Sequence, residues 1–411
     1  MSEDRAATTE LVGQEWVVDV GNIAHGGHCV ARHDGRVIFV RHALPGERVR
    51  VRVTEGRTTD RFLRGDAVEV LTAAPQRVTA PCRYAGPGAC GGCDFQHVAL
   101  SHQRALKTVV VREQFQRLAG LDVDVEVEAV PGDAEGLRWR TRVELAVDGG
   151  GRPGLRRHRS HDIIAIDDCL IAAERVIDSG VLDTVWTGCR AVDVVAADHP
   201  QDAVVVPVPE KRVPRVGQRV ETSTWSGTFE LSARGFWQVH PGAARTYVEH
   251  VLAELAPQPG ERALDLYAGV GLFALALADA VGPQGAVLAV EGDHRAVDDG
   301  IANAAEHPQV EFRVGRVDQA LHRLLRQGIS ADVVVLDPPR TGAGRAVAAD
   351  LAALSPRAIA YVACDPAALA RDTAYLSKGG YRLRSLRAFD AFPMTHHVEC
   401  IAVFEPVRSG G

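Results

Sequence analysis

A cysteine at the predicted junction of a strand and a helix is the residue best placed for covalent chemistry. The apolar run YVAC ends at Cys364, after which Asp365 suits a helix N-cap and Pro366 suits the first helical position. Backbone dipoles at a helix N-terminus favour a thiolate, although the carboxylate of Asp365 opposes this effect. The alternative role is that of a small buried hydrophobe, which is the commoner one for a cysteine outside a disulfide.

Glu399 is the candidate base. In HVECIAVF it shares a predicted strand face with Ile401 and Val403. Desolvation on an apolar face raises the pKa of a carboxyl group, and such a group can serve as a general base. The alternative is a salt-bridged strand residue without a catalytic role.

A glycine turn between a strand and an apolar helix indicates a nucleotide-type cofactor. The strand in ALDLYAGVGLFALALA contains Asp265, and Gly269 and Gly271 lie in the turn. A lone G-x-G is weak evidence, but the next strand ends in Glu291 about twenty residues later, where a ribose-binding carboxylate is expected. The remaining glycine of a pyrophosphate fingerprint is missing, which favours S-adenosylmethionine over a dinucleotide.

Asp337 ends the predicted strand in VVVLDPPRTGAG, at the edge where ligands bind in open α/β sheets. Two prolines follow it, and they stiffen the loop and remove backbone donors. A tight structural turn needs only one proline, so this segment favours a loop that faces a substrate.

Four cysteines have a spacing that indicates a metal site. Cys82, Cys90 and Cys93 lie close together, and Cys169 follows far downstream. In a cytosolic chain this pattern favours metal binding over disulfides. Zinc is the metal that such cysteines most commonly bind, and an iron–sulfur cluster is the alternative.

Hydrophobic patterning divides the chain into three predicted domains. Short alternating strands over 10–73 predict a small OB-like β-barrel. Glycine-punctuated alternation predicts a mostly β middle domain over 74–235, with a helix at 99–118 that is able to pack on the catalytic domain. Strand–helix alternation predicts a doubly wound parallel sheet over 236–411, so the fold class is α/β.

The charge pattern restricts the classes of partner. A formal net charge of -7 argues against indiscriminate nucleic-acid binding, so any such contact must be local. Residues 32–64 hold nine arginines against four acidic residues, and residues 138–159 hold seven against two. Arginine suits phosphate contacts and base stacking, although solvated strand faces also collect it.

No segment indicates a membrane role. The opening ten residues are polar, carry three acidic residues and do not resemble a secretory signal, so we expect a cytoplasmic protein. The longest apolar run, over 272–281, is interrupted by Asp279 and is too short to span a bilayer. We expect a monomer.

Taken in order, the motifs resemble those of the RNA 5-methyluridine (uracil-C5) methyltransferase family, in the branch with a TRAM domain and an iron–sulfur cluster. The resemblance covers about residues 12–406 and is carried by CGGC, FWQVHP, DLYAGVGLF, LDPPRTG, ACDPAALARD and HHVEC. It implies a class I methyltransferase sheet, a TRAM barrel and a cluster-bearing middle domain.

The resemblance also assigns roles to residues. Cys364 becomes the nucleophile and Glu399 the proton acceptor. The residues expected to line the S-adenosylmethionine site are Gln238, Tyr267, Glu291 and Asp337. The cysteines expected to hold a 4Fe-4S cluster, in preference to zinc, are Cys82, Cys90, Cys93 and Cys169.

Three positions depart from the family pattern. His240 and Asp365 stand where asparagine is usual, and Arg316 occupies a position that is often acidic. Asp318, two residues later, is able to supply the missing acid. These departures affect cofactor detail more than reaction type.

The implied reaction is methylation of carbon 5 of a uridine in structured RNA. Carbon 5 is a weak nucleophile, so a thiolate must first add to carbon 6, and a base must later remove the carbon 5 proton. The resemblance favours 23S ribosomal RNA as substrate. The alternatives are a transfer-RNA uridine methyltransferase of the same mechanism, a nitrogen-directed methyltransferase and a non-catalytic RNA-binding homologue.

Overall fold

The computed structural model describes residues 9–407 of the 411-residue chain. Most of the opening stretch on which the expected cytoplasmic location was argued lies outside the described residues. The chain divides into two compact units. The first comprises Met1–Val110, Leu155–Ile166 and Pro393–His396, and the second comprises Val111–Gly154, Asp167–Phe392 and His397–Gly411.

Strands and helices follow in chain order. Before residue 236 they are β1 (Glu15–Ala24), β2 (His28–His33), β3 (Arg36–Arg41), β4 (Arg48–Glu55), β5 (Phe62–Thr72), α1 (Leu100–Gln114), a π-helical turn (Phe115–Ala119), β6 (Val127–Ala129), β7 (Arg142–Val147), β8 (Pro153–Arg156), β9 (Ile163–Ala165), α2 (Glu174–Ile177), β10 (Ala191–Val195), β11 (Val204–Val208), β12 (Arg215–Glu221) and β13 (Ser226–Ser232). After it they are α3 (Ala243–Leu255), β14 (Arg262–Leu266), α4 (Leu272–Val281), β15 (Ala286–Glu291), α5 (His294–Asn303), β16 (Val310–Val314), α6 (Val317–Arg326), β17 (Val333–Leu336), α7 (Gly344–Leu354), β18 (Ala358–Ala363), α8 (Pro366–Lys378), β19 (Tyr381–Asp390) and β20 (Glu399–Pro406).

The first unit contains a closed barrel with the strand order β1-β2-β3-β5-β4. Its alternating sequence explains the barrel, because in β4 the side chains of Val49, Val51 and Val53 are buried in the core. The predicted small barrel is thereby confirmed. Its last strand, β5, ends at Thr72, close to the predicted end of this domain at residue 73.

Antiparallel strands occupy the middle of the second unit. β7 pairs with β10, β10 pairs with β11, and β12 pairs with β13. All of these ladders are antiparallel, as the glycine-punctuated alternation predicts.

The main sheet of the second unit has the strand order β16-β15-β14-β17-β18-β20-β19-β6. The ladders from β16 to β18 are parallel, whereas β20 is antiparallel to both β18 and β19. This arrangement confirms the predicted α/β doubly wound sheet, and β19 and β20 form an antiparallel pair at the end of the chain. Because the central parallel strands β15, β17 and β18 are covered on both faces, their sequences are almost entirely apolar.

The two faces of this sheet form separate cores. Along β20, Ile401 and Val403 belong to the core that includes α3 and α4, whereas Cys400 belongs to the core on the opposite face. Val111 and Phe115 join that second core, and the π-helical turn packs against α8. Side chains that alternate along β20 therefore point to different environments.

Among the described residues, none of the helices combines the length and the apolar character needed to cross a membrane.

Candidate active site

Left-handed backbone conformations shape the turn between β14 and α4. Gly269 has a φ of +54°, Gly271 a φ of +93° and Tyr267 a φ of +62°. A Cβ atom on Gly271 would lie 2.8 Å from Cζ of Phe312, so this position has no room for a side chain. The glycine that the sequence analysis singled out is therefore required sterically, and the half-buried Tyr267 lies at the start of the same turn.

Glu291 connects this turn to the end of β15. Its Oε2 accepts a hydrogen bond from the backbone N–H of Gly269 at 2.9 Å. Its Oε1 accepts from the N–H groups of Gly292 at 2.7 Å and Asp293 at 2.9 Å. A carboxylate oxygen accepts about two hydrogen bonds, so Oε1 is fully used and Oε2 has one acceptor site left. The side chain can thus hold the turn and still accept one hydrogen bond from a ribose hydroxyl.

A buried carboxyl group, Asp265, and a half-buried one, Asp337, lie at the same edge of the sheet. Asp265 is fully buried, and burial raises its pKa to about 8, with further contributions from Asp337 and Glu291. Burial likewise raises the pKa of Asp337 to about 7, and Glu291 adds to this effect. Because like charges and desolvation both disfavour ionisation, this edge is suited to a ligand that carries positive charge.

Cys364 lies between β18 and α8. The side chain of Asp365 caps α8 by accepting from the N–H of Ala368 at 2.8 Å, and Pro366 begins the helix, as the sequence indicated. The thiol is half-buried, and burial raises its pKa to about 12, with further increases from Glu399 and Asp337. Burial and these carboxyl groups therefore outweigh the helix dipole that was expected to favour the thiolate.

Glu399 begins β20 beside the cysteine. The β18–β20 ladder pairs Ala363 with Cys400, so the next step of the antiparallel register brings Cys364 opposite Glu399. The Glu399 side chain is buried, and within residues 9–407 its Oε1 has no hydrogen-bond partner. Burial raises the pKa of this carboxyl group well above its usual range, and Asp337 raises it further.

Gln238 and His240 follow β13. Both side chains are buried. The Nδ1 atom of His240 accepts from the N–H of Gly242 at 3.2 Å, and its Nε2 lies 3.7 Å from Asp133. Burial lowers the pKa of this imidazole. The histidine in the usual asparagine position is thus held by Gly242 of its own loop and lies near Asp133 in the segment between β6 and β7.

Arg316 is engaged by Asp318. The guanidinium donates to both carboxylate oxygens of Asp318, at 3.0 Å and 2.7 Å. Burial raises the pKa of Tyr267 to about 12. The negative charge of Asp318 raises it further, whereas the positive charge of Arg316 lowers it. Asp318, which was expected to supply the acid missing at position 316, is therefore present near Tyr267, but it is paired with Arg316.

The four predicted cluster ligands fall in different compact units. Cys82, Cys90 and Cys93 belong to the first unit, and Cys169 belongs to the second. Over residues 9–407, no group of three or more His, Cys, Asp or Glu side chains is arranged to bind a metal ion. The 4Fe-4S cluster therefore stays a prediction, and no chemical step is derived from it.

Two residues near Cys364 and Glu399 were not predicted from the sequence. Arg340 lowers the pKa of the Cys364 thiol and so favours the thiolate. It follows Asp337 in LDPPR, and its position in that loop was the available signal. Tyr247 lies in the apolar core that also contains Ile401 and Val403 of β20. Nothing in the sequence of α3 distinguishes it from an ordinary core tyrosine.

Comparisons with known proteins agree with this architecture. A TRAM domain profile matches residues 9–68, and a tRNA (Uracil-5-)-methyltransferase profile matches residues 229–406. An RNA methyltransferase of Streptomyces coelicolor is 49% identical over all of this chain and 97% of its own length. The 23S rRNA (uracil(1939)-C(5))-methyltransferase RlmD of Pseudomonas putida is 35% identical over 96% of this chain and 94% of its own.

A solved structure supports the fold independently. The tRNA (uracil-54, C5)-methyltransferase of Pyrococcus abyssi, determined with S-adenosyl-L-homocysteine, has a TM-score of 0.66 and 24% identity. The similarity covers 94% of this chain and 99% of that one. With its own TRAM barrel, its class I methyltransferase sheet and relatives similar over nearly the full length, this chain belongs to the tRNA (uracil-5-)-methyltransferase family of RNA methyltransferases.

Proposed function

We propose that this RNA methyltransferase transfers a methyl group from S-adenosylmethionine to carbon 5 of a uridine through a covalent Cys364 adduct at carbon 6. The observation that carries the proposal is the register that brings Cys364 opposite Glu399 at the end of β18. A thiol nucleophile and a buried carboxyl base at adjacent positions meet the two needs of this reaction. A nitrogen-directed methyltransferase needs no such thiol.

The acidic edge of the sheet supports S-adenosylmethionine as the donor. When bound, it supplies an electrophilic methyl group on a positively charged sulfur. The buried Asp265 and the half-buried Asp337 have raised pKa values, and a nearby cation stabilises their ionised forms. Glu291 has one acceptor site left for a ribose hydroxyl, and Gln238 and Tyr267 complete the proposed donor site.

Each proposed catalytic residue has its own step in the reaction that passes through the covalent adduct. The Cys364 thiol loses its proton to solvent, Sγ bonds to carbon 6 of uracil, and the electron pair of the ring double bond moves towards the carbonyl oxygen at carbon 4. Carbon 5 of this enolate takes the methyl group, and the donor sulfur leaves as a neutral thioether. The Glu399 carboxylate then takes the carbon 5 proton, the double bond re-forms and the bond from carbon 6 to Sγ breaks.

Local features of the barrel support RNA as the partner. The guanidinium of Arg64 lies 5.7 Å from the ring centroid of Phe39 and 5.5 Å from that of Phe62. The side chain of Phe62 is 45% exposed. An exposed ring with an arginine beside it suits stacking of unpaired bases and contact with phosphate. The target uridine must leave its own stack to reach Cys364.

We favour 23S ribosomal RNA as the substrate. The support is the 35% identity to the Pseudomonas putida enzyme, which is named for a 23S uridine. The transfer-RNA enzyme of Pyrococcus abyssi shares the fold at 24% identity, which supports a transfer-RNA substrate less strongly. We place the reaction in the cytoplasm, where both RNAs are found, and assign it to a monomer whose domains span 10–73, 74–235 and 236–411.

We extend the proposal to a 4Fe-4S cluster on Cys82, Cys90, Cys93 and Cys169. The spacing of the cysteines and the resemblance support it. Within the first unit, Sγ of Cys90 accepts from the N–H of Gly92 and Sγ of Cys93 accepts from Nε2 of Gln96, both at 3.4 Å. Such donors stabilise thiolate charge. Iron and sulfide analysis after anaerobic purification tests the assignment, and stoichiometric zinc would replace it.

Labelling of isolated RNA tests the reaction. Anaerobically purified enzyme is incubated with methyl-labelled S-adenosylmethionine and with ribosomal or transfer RNA from a strain that lacks the gene. We expect label in 5-methyluridine of 23S ribosomal RNA, and none with Cys364→Ala. Label in another nucleoside, or full activity of the alanine variant, would favour the nitrogen-directed reaction. Failure to bind S-adenosylmethionine with RNA present would favour a non-catalytic RNA-binding role.

A further inference from the structure

Within residues 9–407, a buried tyrosine hydroxyl on the same side of the sheet as the proposed base, Glu399, has no hydrogen-bond partner. Tyr247 lies in α3, and its side chain is fully buried. In the part of the chain that the structure describes, its hydroxyl makes no hydrogen bond. A buried donor that lacks a partner is unfavourable, so such a group calls for a functional explanation.

Tyr247 and Glu399 lie on the same side of the main sheet. α3 packs against β18 and β20, and Tyr247 shares its core with Ile401 and Val403. Glu399 is two residues from Ile401, so the alternation of β20 directs its side chain to this face. The Tyr247 ring lies 6.0 Å from that of Phe389, which pairs with Glu399 in the β19–β20 ladder.

The two unpartnered atoms are complementary. The phenol can donate one hydrogen bond, and Oε1 of Glu399 can accept one. The carboxyl groups of Glu399 and Asp337 are among the groups that raise the pKa of the Tyr247 phenol, after burial itself. The phenol consequently keeps its proton and remains a donor at neutral pH.

We propose that Tyr247 is a positioning residue for Glu399, and that its hydroxyl donates a hydrogen bond to the Glu399 carboxylate through one intervening water molecule. This inference rests on the proposed role of Glu399 as the base. A fully buried carboxyl group must be ionised before it can accept the carbon 5 proton. A donated hydrogen bond stabilises the ionised form, and it fixes the oxygen that faces the substrate.

Other titratable groups around Glu399 do not replace this donor. Asp337 adds negative charge after β17, and Cys364 and Cys400 flank Glu399 along β18 and β20. Asp390 ends β19, and His250 lies one turn after Tyr247 in α3. Burial lowers the pKa of His250, so this imidazole is neutral near pH 7. Tyr247 is thus an uncharged donor on this face that can stabilise the carboxylate.

Infrared titration of the ligand-free protein tests the proposed water-mediated hydrogen bond between Tyr247 and Glu399, and it does not require turnover. The carboxyl stretching band that Glu399→Gln removes reports the protonation of Glu399. In Tyr247→Phe we expect this band to persist to a pH about one unit higher than in the wild type, because a donor to the ionised form is lost. Tyr381→Phe is the matched control, since it removes another buried phenol, which bonds to the Pro356 carbonyl, and it should leave the band unchanged.

A double-mutant cycle provides the second readout. The free energies of unfolding of the wild type, Tyr247→Phe, Glu399→Gln and the double variant should show coupling between the two sites. An unshifted band in Tyr247→Phe, or additive free energies, would overturn the inference. Absence of uridine methylation by the wild type, with the band shifted as expected, would instead overturn the proposed function alone.

Discussion

The Glu291 carboxylate accepts a 2.9 Å hydrogen bond from the backbone N–H of Gly269, across the carboxyl ends of β14 and β15. This bond fixes the left-handed turn that opens α4, at the edge of the sheet where the donor site is proposed. The acid that was predicted to bind a ribose therefore also shapes the backbone around it.

Replacement of Glu291 should weaken donor binding. Glu291→Gln converts one acceptor oxygen into a donor and loses part of the hydrogen bonding to the turn. We expect S-adenosylmethionine to bind about tenfold more weakly in calorimetry. Glu311→Gln, on the exposed side of β16, serves as the control and should bind normally. Equal affinities of the two variants would remove Glu291 from the site.

Donor binding should release a proton through Asp337. Because the pKa of Asp337 is raised to about 7, this group is largely protonated below that pH in the free enzyme. A cationic ligand favours the carboxylate, so affinity should rise with pH through about 7 and then level off. Calorimetry in buffers of different ionisation enthalpy measures the released protons. Asp337→Asn should abolish this release, and an unchanged proton count would contradict the assignment.

Asp265 should make the ligand-free protein less stable as pH rises. Its folded pKa of about 8 lies above the unfolded value, so its contribution to stability is full in acid and is lost as pH increases from about 4 to 8. We expect Asp265→Asn to be more stable than the wild type at pH 8, by roughly 2 to 4 kcal/mol in urea unfolding, and similar at pH 4. The exposed Asp298→Asn should show no such difference.

Arg340 should control the reactivity of Cys364. Arg340 lowers the pKa of a thiol that burial raises to about 12, so Arg340→Gln should slow alkylation of Cys364 at pH 8 about threefold to tenfold. Mass spectrometry of iodoacetamide-treated protein measures the rate at this site. Arg345→Gln, at an exposed position in the first turn of α7, is the matched control. A rate unaffected by Arg340→Gln would show that another group sets the thiol pKa.

The parallel sheet was predictable from the sequence where strands are buried on both faces. β17 and β18 are wholly apolar, β15 is apolar up to its last residue, Glu291, and β14 is apolar except for Arg262 and Asp265. β16 and β6 were missed because each lies at an edge of the sheet and mixes polar with apolar residues. Sequence periodicity carries less information for such strands.

The electrostatics of the site could not be read from the sequence. The helix N-terminus beside Cys364 indicated a favoured thiolate, but burial and two carboxyl groups reverse the balance. These groups come from β17 and β20, which are distant from Cys364 in the chain, so only the sheet order brings them together. Tyr247 was missed for the same reason, since its relation to Glu399 depends on how α3 packs.

Trapping of the covalent intermediate tests the proposed mechanism most directly. Glu399→Gln keeps the nucleophile but removes the group that takes the carbon 5 proton, so elimination of the thiolate should stall. With methyl-labelled S-adenosylmethionine and 23S ribosomal RNA, we expect a labelled protein–RNA complex that survives denaturing electrophoresis, and that disappears when Cys364→Ala is added. Efficient release of methylated RNA by Glu399→Gln, or an adduct that persists without Cys364, would contradict the proposed roles of both residues.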